Sequence, residues 1–187
     1  MSDTDAEGVA AFAFELGVLK RVRRAGWWHA GVQNPESVAE HTMRVAQLAA
    51  IIAVEEGADP ARAAMLALWH DTQETRTGDL PHSVQGYLPK PDARQITADQ
   101  TAAIPDASRA MIGEAVDEFE TGETTESICA RDADRLEMLF QAIEYRDIGV
   151  QRVDGWIESA RKGIKTEAGR RIAEAAVTVS PLAWRNR

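Results

Sequence analysis

The sequence predicts an all-α protein of about seven helices. Alanine contributes much of the 44% apolar share, and β-branched residues are dispersed, which favours close-packed helices over a sheet. Apolar residues recur at helical spacing in segments that end at glycines or begin at capping residues. The 187 residues contain no repeat, low-complexity run or linker, so one domain spanning residues 1–187 is expected.

The first two predicted helices lie on either side of a basic, aromatic connection. The first covers about residues 6–22, where apolar residues recur at helical spacing. Ser37 and Glu40 then match a capping box, in which the serine caps the helix and the glutamate reaches back to it. The helix that they open is apolar nearly all round and extends through about Glu55, before Gly57. It should therefore be central to the fold.

A third helix is predicted to begin after Asp59, which is suited to capping it. Pro60 would occupy the first helical position, where the missing N–H has no cost. The helix should pass through His70 and fade before Gly78. Residues 79–90 are rich in proline and glycine, which indicates a loop with at most a short helical turn.

The second half of the chain predicts four more helices. Gly122 and Gly149 follow two of them, as expected of residues that end helices. The core motifs lie at about residues 14–145, and the last two helices are expected to pack on that core. The four predicted helices cover approximately residues 106–122, 125–148, 154–162 and 166–177.

Composition limits the function classes. The formal charge of −9 argues against a surface that coats DNA or RNA, but a few local arginines could still bind a small phosphorylated ligand. Cys129 is the only cysteine, so no internal disulfide is expected, in keeping with a reducing cytosol. The acidic start is unlike a secretory signal, and the apolar run at residues 45–54 is too short to span a bilayer. A soluble cytoplasmic protein is expected, with no membrane or nucleic-acid polymer as partner.

Four polar residues in these apolar helices have the identity and order to hold one divalent metal ion: His41, His70, Asp71 and Asp134. An unpaired buried carboxylate costs several kcal/mol or becomes protonated, and a shared cation would remove that penalty. Mixed nitrogen and oxygen ligands suit Mn, Fe, Co, Ni or Zn better than Ca, and Mg is a further candidate. An isolated His-Asp pair is usually an ordinary hydrogen-bonded pair, so the combination of all four residues carries the hypothesis.

Three segments resemble the HD-domain metal-dependent phosphohydrolases: ESVAEHTMRVAQLA, LALWHDTQETRTGDLP and ARDADRLEMLFQAIEY. They are most similar to the small 5'-deoxynucleotidase branch, and the similarity extends over about residues 14–145. The resemblance implies an HD-domain helical bundle, one divalent metal ion and a homodimer. It also implies that the four residues named above are the metal ligands.

The resemblance further implies roles for two acidic residues. Glu74 matches the catalytic acidic residue and, one helical turn after His70, could orient or deprotonate the attacking water. Taken alone it would more often be a surface glutamate, and the neighbouring His-Asp pair reverses that preference. Asp79 matches a second active-site carboxylate, which could contact the sugar hydroxyl or protonate the departing O5'. Its alternative role, making the turn after Gly78, is compatible with that one.

Arg24 and Trp27 resemble the family's substrate-contacting arginine and tryptophan. An arginine can bind a phosphate through two parallel donors, and a tryptophan offers a flat face to a base or sugar. The alternatives are a solvated charge run for Arg24 and a core position for Trp27. His29 and His82 are expected to be hydrogen-bonding or surface residues.

The leading functional hypothesis is release of phosphate from deoxyribonucleoside 5'-monophosphates. The alternatives are hydrolysis of nucleoside triphosphates or other small phosphate esters by the same centre, and a non-catalytic module that senses nucleotides or metal ions. His82 is the only histidine in the sequence between the His70-Asp71 pair and Asp134. The sequence therefore offers few ligands for a second metal ion.

Overall fold

The computed structural model describes residues 1–84 and 86–186, and within them it contains nine α-helices and no strand. The all-α prediction is therefore confirmed. Across the same residues, no helix has both the length and the apolar character that crossing a membrane requires. The helices are α1 (Asp3–Leu16), α2 (Val38–Glu55), α3 (Pro60–Trp69), α4 (Glu74–Thr77), α5 (Ala93–Gln100), α6 (Asp106–Thr121), α7 (Thr125–Asp147), α8 (Asp154–Gly163) and α9 (Glu167–Ala176).

Helix α2 lies at the centre of the bundle, between α3 and α7. Its Val45, Ala49 and Ile52 are fully buried against residues such as Leu66 of α3 and Leu136 of α7. Alanines at many of the contacts allow the helices to approach closely, as the alanine-rich composition suggested. Helices α8 and α9 pack mainly on α7, so the C-terminal helices join the same core.

The predicted caps determine where the central helices begin. The Glu40 amide donates to Ser37 Oγ at 3.2 Å, and the Ser37 amide donates to Glu40 Oε2 at 2.6 Å, which completes the capping box of α2. Asp59 caps α3 by accepting from the amide of Ala61 at 2.8 Å. The first cap places His41 in the first turn of α2, at one end of the bundle.

The structure differs from the sequence prediction at α1, α3 and α5. Helix α1 starts at Asp3 and ends at Leu16, and residues 17–20 continue as a 3-10 helix. Helix α3 ends at Trp69 instead of continuing towards Gly78. Helix α5 was not predicted, because its sequence is polar and its buried positions are threonine and glutamine instead of apolar residues.

Candidate metal centre

The centre is built around a break in the chain after α3. Residues 70–73 form a turn in which the Glu74 amide donates to the Asp71 carbonyl at 3.1 Å, a three-residue spacing tighter than that of an α-helix. The expectation that His70 and Glu74 share one continuous helical face is therefore wrong. The turn allows neighbouring side chains to converge, and His70 Nε2 lies 3.0 Å from Asp71 Oδ2.

The four predicted ligands come together from three parts of the fold. His41 Nε2, from α2, lies 3.7 Å from Asp71 Oδ2 and 3.2 Å from Asp134 Oδ1, from α7. Ligand atoms of His41, His70 and Asp71 all lie within 4.8 Å of one another. Asp134 joins this group through its contact with His41. The structure thus gathers two imidazole nitrogens and two carboxylates at one point.

Hydrogen bonds on the far side of each imidazole orient the two histidines. His41 Nδ1 lies 2.6 Å from Glu137 Oε2, and His70 Nδ1 lies 2.6 Å from the Ala67 carbonyl oxygen. Both partners are acceptors, so the proton belongs on Nδ1 in each ring. The Nε2 atoms, which face the cluster, are left as the nitrogens that can bind a cation.

Several polar atoms at the cluster have no hydrogen-bond partner among the residues that the structure describes. They are His41 Nε2, His70 Nε2 and Asp71 Oδ2, which are all buried, and the buried Glu74 Oε2 beside them. Each unsatisfied buried group costs about 1–3 kcal/mol, so four in one place need an explanation. One divalent ion would satisfy those that converge, and a set of nitrogen and carboxylate donors fits a borderline transition metal. The residues present therefore fit the expected metal.

The charges of the cluster shift the pKa values of its members. Burial and Arg24 lower the pKa of His41, but the carboxylates of Asp134 and Glu137 outweigh them and raise it to about 9. Burial raises the pKa of Asp71, yet His70 and Arg24 bring it well below its usual range. Without a bound cation, the imidazoles therefore tend to hold protons that a metal ion would displace.

Asp79 holds the segment that carries Arg24. Its Oδ1 accepts from Arg24 at 3.0 Å, and its Oδ2 accepts from the Ala25 amide at 2.6 Å. Gly78, with a φ of 69°, turns the chain so that Asp79 reaches this segment. The same Arg24 nitrogen lies 3.5 Å from Asp71 Oδ2, so Arg24 borders the cluster. Asp79 is thus placed to position Arg24, which the sequence did not suggest.

Trp27 lies in the core and not at the cluster. Its side chain packs against the rings of Tyr145 and Trp156, with centroid distances of 5.2 and 5.6 Å, and it is 3% exposed. Its indole N–H donates to Glu36 Oε1 at 3.0 Å. No face of the ring is free for a base or sugar, so the predicted substrate contact does not fit this placement. The core alternative does.

The cluster opens into a pocket of about 490 Å³, within the usual range for small-molecule sites. One part of its wall is charged and contains His70, Asp71 and Asp134 of the cluster, with Glu74 and Arg24. Another part is apolar, contributed largely by the segment after Asp79. Three further cations also line the pocket. The apolar residues include Leu80, Val84, Leu88, Ile96 and Phe119, and the cations are Lys90, Arg131 and Arg135.

Sequence reasoning missed two residues that support the centre, Glu137 and Arg44. Glu137, which accepts from His41, also accepts from Arg44 Nε at 3.1 Å and from its terminal nitrogen at 2.7 Å. Glu137 lies three residues after Asp134, and Arg44 lies three residues after His41. A charged residue one turn from a ligand, on the same helix face, was the signal that could have identified them.

Replacing Glu137 by glutamine is expected to weaken binding of the divalent ion by about 10–100-fold, because the neutral amide orients His41 less strongly. Calorimetric titration of the metal-stripped protein with the divalent ion measures this loss. Glu144→Gln is the matched control, since Glu144 also accepts from Arg44, at 2.7 Å, from the same helix. Equal losses in the two variants would assign the effect to Arg44 instead of His41.

Comparisons with known proteins agree with the geometry. A family model described as HD domain matches residues 16–176. The 5'-deoxynucleotidase HDDC2 of Bos taurus is 33% identical over 150 residues, which cover 79% of this chain and 73% of that protein. A conserved hypothetical protein from Pyrococcus furiosus is 30% identical with a TM-score of 0.72, over 90% of this chain and 98% of its own.

A more distant solved structure shares the fold alone. It is the cyanophage S-2L HD phosphohydrolase DatZ, bound to dA and one catalytic Zn²⁺ ion. It is 18% identical with a TM-score of 0.56, and the match covers 89% of this chain and 96% of that one. The arrangement of helices that surrounds the cluster here therefore also occurs in a phosphohydrolase that uses a metal ion.

Proposed function

The chain belongs to the HD-domain family, and from that premise we propose that it is a metal-dependent 5'-deoxynucleotidase. It would release phosphate from deoxyribonucleoside 5'-monophosphates. The observation that carries the proposal is the convergence of unsatisfied buried atoms from His41, His70 and Asp71 beside that of Glu74. Such an arrangement provides a cation site and a base in one pocket.

We propose that His41, His70, Asp71 and Asp134 together hold one divalent ion, which could be Mn, Co, Fe, Ni, Zn or Mg. Once bound, that ion would acidify water and offset the charge that develops on the phosphoryl group. The donor set and the orienting contacts to Glu137 and Ala67 support this assignment.

Glu74 is proposed as the base. The residue lines the pocket, and its Oε2 has no hydrogen-bond partner among the described residues, so its carboxylate can take a proton from the attacking water. The water oxygen then forms a bond to phosphorus as the P–O5' bond breaks, and the same proton passes to O5' of the departing deoxynucleoside. The Glu74 carboxylate is regenerated, so no other proton donor is needed.

Arg24 is proposed to bind the phosphate. Its side chain is 18% exposed, lines the pocket and is held by Asp79. A guanidinium fixed in this way offers charge-assisted hydrogen bonds at little cost in side-chain entropy. Asp79 contributes mainly by positioning Arg24 and the Ala25 amide, because both of its oxygens already accept hydrogen bonds from them.

The apolar wall is proposed to receive the deoxyribose and base. Leu80, Val84 and Leu88 line it and offer no side-chain partner to a 2'-hydroxyl. Burying that hydroxyl without a hydrogen bond would cost a ribonucleotide free energy that a deoxyribonucleotide does not lose. Discrimination against ribose therefore follows from the wall's composition.

Matched substrates test this function. Metal-stripped protein is incubated with deoxyadenosine 5'-monophosphate, its ribo counterpart or the deoxy triphosphate, and each candidate divalent ion is added separately. We expect free phosphate from the deoxy monophosphate, with less from the ribo form. Tripolyphosphate release from the triphosphate would instead indicate the alternative hydrolase, and no product with any ion would favour a sensing module.

We also propose that the protein forms a homodimer and is located in the cytoplasm. The homodimer rests on the family resemblance, and no interface is assigned to it. A cytoplasmic location rests on the single cysteine, Cys129, which is buried and free in the structure. Burial raises the pKa of its thiol to about 11, which makes it a poor nucleophile and agrees with a packing role.

A further inference from the structure

Arg131 is a pocket cation to which the proposed mechanism gives no role. It lies on α7, three residues before Asp134, so both side chains are on the helix face directed at the pocket. Arg24 reaches the same pocket from the segment before α2. Two guanidinium groups from separate elements thus line one cavity.

The guanidinium of Arg131 packs against α6. Its central carbon lies 5.6 Å from the centroid of the Phe119 ring, which in turn lies 5.0 Å from the His70 ring. Gly122, which ends α6 with a φ of 66°, lies so close that a Cβ there would overlap the guanidinium. Stacking over an aromatic face holds the group while its edge donors stay free.

Arg131 differs from the other pocket cations in its ion pairing. Arg24 pairs with Asp79, Lys90 pairs with Glu120 at 2.7 Å, and Arg135 lies 3.4 Å from Asp132. Among the residues that the structure describes, no carboxylate pairs with Arg131 and no acceptor takes a hydrogen bond from its side chain. In a chain with a formal charge of −9, its positive charge remains available to a ligand.

We propose that Arg131 is a second phosphate-binding residue of the site, and that it contacts a non-bridging oxygen of the substrate phosphate. Arg24 is partly neutralised by Asp79 and Asp71, so its attraction for a dianion is reduced. Arg131 supplies the uncompensated charge. The inference rests on the proposed function and narrows its substrate class to phosphate monoesters with a dianionic end.

Arg131→Met removes the charge and keeps an unbranched apolar chain against Phe119. In metal-loaded protein, we expect it to weaken binding of inorganic phosphate by about tenfold or more, the usual effect of losing a charge-assisted hydrogen bond. Binding of deoxyadenosine, which lacks the phosphate, should not change. Calorimetry or competitive inhibition measures both affinities. Arg131→Lys keeps a point charge without the planar fork and should fall in between.

Arg171→Met is the matched control, because Arg171 is exposed on α9 outside the pocket and should bind phosphate as the original protein does. Unchanged phosphate affinity in folded Arg131→Met, or a loss for deoxyadenosine alone, would overturn the proposal. If that variant does not fold, Arg131→Lys decides by the same criterion. Phosphate binding needs no turnover, so a protein without nucleotidase activity would refute the proposed function and still test Arg131.

Discussion

Glu74→Gln is expected to lower kcat by about 10²–10⁴-fold while the protein still binds its divalent ion. The amide has nearly the shape of the carboxyl group but cannot take a proton from water. Within the described part of the chain, Glu74 Oε2 is buried without a partner, so no hydrogen bond seen there depends on its charge. Phosphate release at saturating deoxynucleotide measures the loss, and calorimetry confirms that the ion is still bound.

The pH dependence of activity provides a second measurement on the Glu74→Gln variant. Burial and the neighbouring carboxylates of Asp71 and Asp79 raise the pKa of Glu74 to about 10, so without a cation it holds a proton at neutral pH. A divalent charge nearby favours the carboxylate and lowers this pKa. Activity should therefore rise with pH through that lowered pKa, and the residual activity of Glu74→Gln should lack this rise.

Glu114→Gln is the control for that experiment, since Glu114 is exposed on α6 and does not line the pocket. Its kcat and pH profile should match those of the original protein. A Glu74→Gln protein with full kcat, or with the original rising limb, would show that another group accepts the proton.

Local sequence signals identified much of the fold. The hydrogen bonds of a cap involve residues only a few positions apart, so Ser37 with Glu40, and Asp59, could be recognised directly. The candidate ligands were visible because histidine and aspartate are conspicuous in apolar helices. The structure shows that these side chains converge, and their role as metal ligands stays a prediction.

Contacts between distant residues could not be predicted in the same way. Glu137 lies 96 residues from His41. Its position one turn after Asp134 marks it as a candidate, but the spacing within α7 does not identify His41 as its partner. Trp27 illustrates a second difficulty, because an aromatic residue after a basic run is compatible with both a binding face and the core. Only the positions of Tyr145 and Trp156 decide between them.

The break after α3 exposes a third limit. The apolar periodicity of residues 60–69 gives no reason for α3 to stop at Trp69. The turn is maintained by tertiary contacts, including the hydrogen bond from the Gln73 side chain to Thr97 at 2.7 Å. Thr97 lies on α5, the helix that was not predicted because its sequence is polar. One unpredicted helix thus supports the turn that directs His70 and Asp71 to the same point.

His70→Ala is expected to abolish stabilisation by the divalent ion. An ion that binds only the folded protein adds about 2.7 kcal/mol of stability at a concentration of 100 times its Kd. For a chain of this length, that gain raises Tm by about 5–10 °C. Loss of a ligand should reduce affinity by more than about 100-fold, since even residues that only orient ligands contribute about 10–100-fold. At the same ion concentration, the variant should therefore show little or no rise in Tm.

The rise in Tm is compared within each protein, because His70→Ala also removes the imidazole that lies 3.0 Å from Asp71 Oδ2 and can lower the baseline Tm. His29→Ala is the matched control. His29 is exposed, and its Nε2 lies 3.1 Å from Ser83 Oγ instead of at the cluster, so the ion should stabilise this variant as it does the original protein. An undiminished rise in His70→Ala would place the ion elsewhere. A rise lost in both variants would implicate histidines in general, whereas a loss confined to His70→Ala is the result expected if its Nε2 binds the ion.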